Sequence, residues 1–378
     1  MLQTTLEQFR EAQDKLFAAY DAEPHSRFAN LSEAALHVHF LECGQGETVV
    51  MIHGGNSFAA SWAPLIKPLS RHFHLYLPDR PGCGLSDKLN YRGIDFRQHS
   101  VAFVKSFLDA AELKRPSLVG NSMGGYFALA FALAYPERVH KVAIIGAAPL
   151  INDAMPIPHR LLSVPVLNSW IGSRISARKT PLRALYAQPQ KLRPEVSICA
   201  RVGGGLPGAV ESWLTMVEEI GSLMGFNRRF SIKEEMHSLR VPTLFIQGDK
   251  DGLGTVASVQ SVQSNMSDAR IEIIRNAGHL PWYDEPESPL KGSFKATRAN
   301  WQEIKAFEHP LMTSQALRFA FVSSRSALDE KPSRPHDGSS TCIHVVKLPC
   351  VQDPAFLPAK SDFDPPFVFE GLSRLELP

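Results

Sequence analysis

A serine, an aspartate and a histidine stand far apart in this chain, in an order and in settings that could perform acyl transfer. Ser122 lies in Gly120-Asn121-Ser122-Met123-Gly124, after the apolar run Ser117-Leu118-Val119 and before Gly125-Tyr126-Phe127-Ala128-Leu129-Ala130. That pattern reads as a strand turning sharply into a helix, with the hydroxyl held in a tight, exposed kink between small residues. Ser122 is therefore the candidate nucleophile. The plainer alternative is a helix N-cap, where a serine side chain bonds the amides of the first turn. A catalytic serine also needs a base, an acid that orients the base, and donors for the oxyanion.

Val241-Pro242-Thr243-Leu244-Phe245-Ile246-Gln247-Gly248 reads as a buried strand, and Asp249-Lys250-Asp251-Gly252 follows at its carboxyl end, where open parallel sheets carry functional loops. Arg270-Ile271-Glu272-Ile273-Ile274 is a further short strand, and Asn276-Ala277-Gly278-His279 follows it. Asp251 is the candidate acid and His279 the candidate base. A carboxylate accepting the Nδ1 proton of His279 would leave Nε2 to take the Ser122 proton. Asp249, two positions earlier on the same loop, is the competing carboxylate, and a solvated Asp-Gly turn is the bland alternative for both.

The fourth element is Thr48-Val49-Val50-Met51-Ile52-His53-Gly54-Gly55-Asn56, an apolar strand running into a glycine-rich loop. Its Gly55 amide, with the Met123 amide just beyond the nucleophile, is the candidate oxyanion hole. Asn56 is a candidate substrate-binding side chain, and His53 is expected to brace the loop. Trp282, three positions after His279, is a candidate pocket wall.

These motifs resemble the α/β-hydrolase superfamily, and the resemblance covers about Ala29 to Glu287. It extends to Asp79-Arg80-Pro81-Gly82-Cys83-Gly84-Leu85-Ser86, similar to that superfamily's D-R-x-G-x-G-x-S segment, and to Tyr135-Pro136-Glu137-Arg138-Val139 closing the helix after the elbow. The resemblance implies a Ser122-Asp251-His279 triad and a mobile cap. Serine at the elbow, in place of aspartate, implies hydrolysis of ester, lactone, thioester or carbon-carbon bonds. Gly120-Asn121-Ser122-Met123-Gly124-Gly125 is similar to the elbow of hydrolases of ring-fission products. Those enzymes usually carry a longer Gly-Pro-Gly oxyanion loop, whereas this chain has Gly55-Asn56-Ser57-Phe58, which puts carboxylic-ester hydrolysis ahead. A ligand receptor that keeps the fold without turnover is the alternative from another class.

Strands and helices must position these groups. Strands are expected at Leu36–Glu42, Thr48–Ile52, Phe73–Leu77, Ser117–Val119 and Lys141–Ile145, with helices at Phe96–Ala111 and Met123–Tyr135. The alternation predicts an α/β fold with a mostly parallel, doubly wound sheet, and the resemblance implies a helical cap inserted after the sixth strand. The expected organisation is an N-terminal helical extension (1–28), core (29–149), cap (150–239), core (240–290) and an atypical C-terminal extension (291–378). Gly203-Gly204-Gly205 reads as a hinge or a flexible loop within the cap. Residues 331–378 hold eight of the chain's 28 prolines with little apolar periodicity, which predicts disorder.

The 378 residues are 44% hydrophobic, ample for a buried core. Forty basic against 38 acidic residues leave a net charge of only +2, which gives no pull toward nucleic acid. The five cysteines are odd in number and scattered, and Cys342-Ile343-His344 with Cys350 has poor metal-ligand spacing. No cofactor and no metal are expected. The charged start and the lack of a long apolar run predict a cytoplasmic protein without a secretory signal or stable membrane insertion, and the resemblance implies a small ester-like molecule as its substrate.

Overall fold

The computed structural model describes residues 5–31, 36–146, 148–151, 155, 157–172 and 185–284. All lie in the first of the two units into which the chain divides, residues 1–327. The expected C-terminal extension, with Cys342, His344 and Cys350, lies outside the described residues.

Eight strands form one sheet. They are β1 (His25–Leu31), β2 (Leu36–Cys43), β3 (Glu47–Ile52), β4 (Phe73–Pro78), β5 (Ser117–Asn121), β6 (Val142–Ile145), and, after a long insertion, β9 (Thr243–Gly248) and β10 (Ala269–Ile274). The order across the sheet is β1-β2-β4-β3-β5-β6-β9-β10. β2 runs antiparallel to both its neighbours, and every pair from β4 to β10 is parallel. The central strands β5, β6 and β9 are buried along their whole length, so they read as continuous apolar runs and not as alternating ones.

The helices α2 (Ala63–Ser70), α3 (Phe96–Ala110) and α4 (Met123–Ala134) connect the strands. Residues Met123 through Ala132 of α4 are all buried, which its uniformly apolar sequence requires. Asp95 starts α3 by accepting the Gln98 amide at 2.9 Å.

The N-terminal segment departs from an all-helical extension. Helix α1 (Leu6–Ala19) is closed by a reciprocal Thr5–Gln8 capping box, but β1 follows it and pairs with β2. β1 has little hydrophobic alternation, since only Leu31 is buried. Its place at the sheet edge comes from backbone pairing, which side-chain periodicity cannot signal.

Between β6 and β9 lie α5 (Ile157–Leu162), α6 (Pro165–Gly172), α7 (Pro194–Gly203) and α8 (Ala209–Ile220). A short hairpin of β7 (Gly221–Ser222) and β8 (Gly225–Phe226) follows. Phe230, Ile232, Met236 and Leu239 then return to the main core cluster with α4, so the end of the insertion belongs physically to the sheet domain. Gly203 is a packing residue: a Cβ there would stand 2.4 Å from the Phe58 ring and 2.7 Å from Phe9. Two further helices, α9 (Val256–Gln263) and α10 (Pro281–Asp284), complete the described chain. Among the described residues, no helix is long and apolar enough to cross a membrane.

Candidate active site

Ser122 joins β5 to α4 with φ 50° and ψ −116°, a conformation that costs a non-glycine residue energy and persists only where its surroundings enforce it. Its side chain makes no capping bond, so the ordinary N-cap alternative does not describe it. The flanking glycines are steric necessities. A Cβ on Gly124 would lie 2.0 Å from the Ile52 carbonyl oxygen, and one on Gly120 would lie 2.4 Å from that of Gly124. Strand β3, strand β5 and the start of α4 are thereby brought into backbone contact at the serine.

His279 and Asp251 are hydrogen-bonded, Nδ1 to Oδ2, at 2.9 Å. The Asp251 carboxylate also accepts the Leu253 amide (2.7 Å), the Gly254 amide (3.2 Å) and the Gln247 side-chain amide (2.8 Å). Burial would raise the pKa of Asp251, but the adjacent imidazole and these donors outweigh it and hold the group below its ordinary value. Asp249 is exposed and accepts the Asn276 amide instead, at 2.8 Å.

The imidazole lies against the end of β6: a Cβ on Gly146 would be 2.9 Å from His279 Nδ1 and 3.0 Å from Cε1. Next along the sheet, the Asn121 side chain donates to Ile145 O (2.8 Å) and reaches His279 O (3.4 Å), linking the residue before the serine to the histidine loop. His279 Nε2 is buried and has no hydrogen-bond partner, so Ser122 does not engage it in this structure. Hydrogen bonds between a nucleophile and its base are often long or poorly aligned until substrate binds.

The loop after β3 is organised from below by Arg80, which is fully buried. Its guanidinium donates to His53 O (3.1 Å) and Gly54 O (2.8 Å), and its backbone amide donates to His53 Nε2 (2.9 Å). His53 Nδ1 bonds Gly54 O at 2.9 Å, so one neutral tautomer satisfies both ring nitrogens. Burial first, then the Arg80 cation, push the His53 pKa down to about 3. Because the Gly54–Gly55 peptide is trans, anchoring Gly54 O toward Arg80 turns the Gly55 N–H the opposite way. Met123, at the first position of α4, has an amide with no acceptor inside its own helix.

A cavity borders this loop, with walls including Asn56, Phe58, Cys83, Tyr91, Trp213 and Met216. Asn56 is exposed at φ 46°. Trp213 of α8 packs directly on Gly55, where an added Cβ would be 2.6 Å from its ring. Trp282 stands elsewhere. It is 1% exposed, stacks on Trp62 at 4.6 Å and donates to Ser61 O at 3.1 Å. Its placement corrects the expectation of a pocket wall, because stacking on Trp62 and the bond to Ser61 O hold its ring in the core.

Several positioning residues carried no sequence signal of their own. Asp284, fully buried, accepts the amides of Gly278 (2.7 Å), Ala187 (3.0 Å) and Gln188 (2.7 Å), tying the histidine loop to the middle of the insertion. The His279 amide itself donates to Leu185 O at 2.8 Å. Among the described residues no cluster of His, Cys, Asp or Glu is arranged to hold a metal ion.

Solved structures share this architecture. Naproxen esterase (carboxylesterase NP) of Bacillus subtilis superposes over 74% of this chain and 93% of its own, with TM-score 0.55 and 18% identity. A meta-cleavage product hydrolase does so over 69% of this chain and 93% of its own, with TM-score 0.55 and 23% identity. At such identities the likeness is one of fold. In sequence, the 2-hydroxy-6-oxononadienedioate/2-hydroxy-6-oxononatrienedioate hydrolase of Escherichia coli O81 (strain ED1a) is 41% identical over 128 residues, 32% of this chain. The chain matches only 44% of the length of that curated relative. The alpha/beta hydrolase family model matches residues 49–289, well over half of the chain and from within β3 past His279, and the chain belongs to that family.

Proposed function

We propose that the protein is a serine hydrolase that cleaves carboxylic-ester-like bonds of a small, largely apolar molecule through an acyl-enzyme. The observation that carries this reading is the buried His279–Asp251 pair at the carboxyl ends of the strands, its loop linked through Asn121 to the strained turn of Ser122. Ser122 Oγ attacks the carbonyl carbon, and His279 Nε2 takes its proton and delivers it to the leaving alkoxide. Asp251 holds the imidazole tautomer and stabilises the imidazolium. The Gly55 and Met123 amides receive the oxyanion. Water then repeats the sequence and releases the acid. Phe58, Tyr91, Met216 and Trp213 around the neighbouring cavity favour an apolar substrate, with Asn56 as a polar contact at its rim.

The test is a panel of short- to long-chain p-nitrophenyl esters together with an active-site phosphonate, its label mapped by mass spectrometry. The phosphonate should modify Ser122 in the wild type. Ser122→Ala should abolish that modification and nearly all turnover. Asp251→Asn should lower kcat by about 10⁴-fold through the wrong histidine tautomer, whereas Asp249→Asn should change it little. Wild-type turnover by Ser122→Ala would refute the reading.

A second reading, hydrolysis of a carbon-carbon bond in a ring-fission diketone acid, is favoured by the 41% identity to the Escherichia coli relative. Ring-fission substrates that far outpace every simple ester would establish it.

A further inference from the structure

A Ser-His-Asp chain of hydrogen bonds is complete in this structure at a second place. Ser26 Oγ is 2.9 Å from His39 Nε2, and His39 Nδ1 is 2.8 Å from Asp79 Oδ2. At the elbow the corresponding link from His279 Nε2 is open. His39 and Asp79 are fully buried, while Ser26 is exposed on β1. β1 stands four strands away from β5 in the sheet order, roughly 19 Å at ordinary strand spacing, so the two serines do not share a site.

The buried pair is rigidly held. Asp79 also accepts the Ala59 amide (2.6 Å) and the Leu85 amide (2.9 Å). The His39 amide donates to Ser86 Oγ (2.9 Å), whose hydroxyl donates to Asp79 O (2.7 Å). Phe28 packs across the His39 ring at 5.2 Å and stacks on His37 at 4.6 Å. An ionised Asp79 only accepts, so His39 Nδ1 carries a proton, and in the neutral ring Nε2 is the acceptor for the Ser26 hydroxyl. That is the proton arrangement by which a histidine-aspartate pair activates a serine, and such a constellation is recognised by geometry and not by its position in the chain.

We propose that Ser26 is a second acyl-accepting serine, taking the acyl group of an activated carboxylic ester. Its Oγ bonds to the carbonyl carbon as the bond to the leaving aryloxide breaks. His39 Nε2 takes the hydroxyl proton and returns it to the aryloxide, and Asp79 stabilises the intervening imidazolium. The products are O-acyl-Ser26 and a phenol, with no change of oxidation state. Ser26 stands within a strand and not at a helix start, so it has no counterpart of the Met123 amide from a first helical turn. The acyl group should therefore accumulate once per chain without rapid turnover.

The experiment treats the full chain carrying Ser122→Ala with p-nitrophenyl acetate and maps the tryptic peptide Leu16–Arg27, which follows Lys15. Fragmentation should place one acetyl group on Ser26. The modification should vanish when Ser26→Ala is added, an exposed change that leaves the fold intact. It should form about 100-fold more slowly with His39→Gln, the scale of lost general-base catalysis. An unmodified peptide, an acetyl group on Tyr20 of the same peptide, or an unchanged rate in a folded His39→Gln protein would overturn the proposal. The outcome is independent of whether Ser122 is modified in the wild type, which tests the elbow separately.

Discussion

A fully buried guanidinium normally needs a carboxylate, yet Arg80 is satisfied mainly by the two backbone carbonyls that shape the loop after β3 and by the face of Phe127, 5.1 Å from its centre. Its location thus links charge burial to the proposed catalysis, because the Gly54 carbonyl it holds fixes the direction of the Gly55 amide. Arg80→Gln should lower kcat about 10²- to 10³-fold, the cost of losing one oxyanion donor, with little change in KM. Arg80→Lys should recover only part of the loss, since a point charge cannot make the guanidinium's two directed bonds. Steady-state kinetics on the best ester checks this; an unchanged kcat would leave Arg80 a role in stability alone. Such a role is invisible in sequence because it acts through main-chain atoms, although Arg80 belongs to a legible motif. The same holds for Asn121 and Asp284. Asp251, His279 and Ser122 stood out because their chemistry resides in their own side chains, at strand ends that hydrophobic runs make visible. Trp282 shows the converse error: three positions along the chain said nothing about which way its ring faced, and Trp213, remote in sequence, borders the cavity.

Among the elements, α1 has the least obvious connection to the site and a short physical path to it. Phe9 is fully buried and meets Phe58 edge-on at 4.9 Å, and both rings close on Gly203 of α7. Phe58 lies two residues beyond Asn56, so α1 clamps the glycine-rich loop and the insertion together. Phe9→Ala should cost about 3–5 kcal/mol of stability by urea titration. It should also reduce kcat at temperatures where the protein remains folded; full activity with the stability loss alone would show that Phe58 holds the loop without help. The central strands and α3 and α4 were legible because each buries a continuous or 3.6-periodic apolar set. β1 was not, because an edge strand with exposed side chains is held by its ladder. The hairpin β7–β8 escaped notice for a related reason: two residues per strand leave no period to read.

At the scale of the whole molecule, the buried histidines give the fold a common dependence on pH. Burial lowers His53 to about 3 and His99 to about 4, with the Arg80 cation contributing to both, and burial shifts His140 and His159 in the same direction. In the unfolded chain each returns to the ordinary histidine value of 6.5. As pH falls below that value the unfolded chain takes up protons that the folded protein refuses, so stability must fall with it. For His53 the decline runs from 6.5 down to about 3, and for His99 from 6.5 to about 4. Asp79 and Asp251, both held below their ordinary value, extend the loss into the carboxylate range, since they stabilise the fold only while ionised. Urea midpoints should therefore decrease steadily between about pH 7 and pH 4, before most carboxylates titrate. His99→Leu, which removes an imidazole with a buried, unbonded Nε2, should make the slope shallower. A midpoint that stays level across that interval would mean these imidazoles accept protons in the folded state, and the neutral His53 that braces the glycine loop could not be its working form.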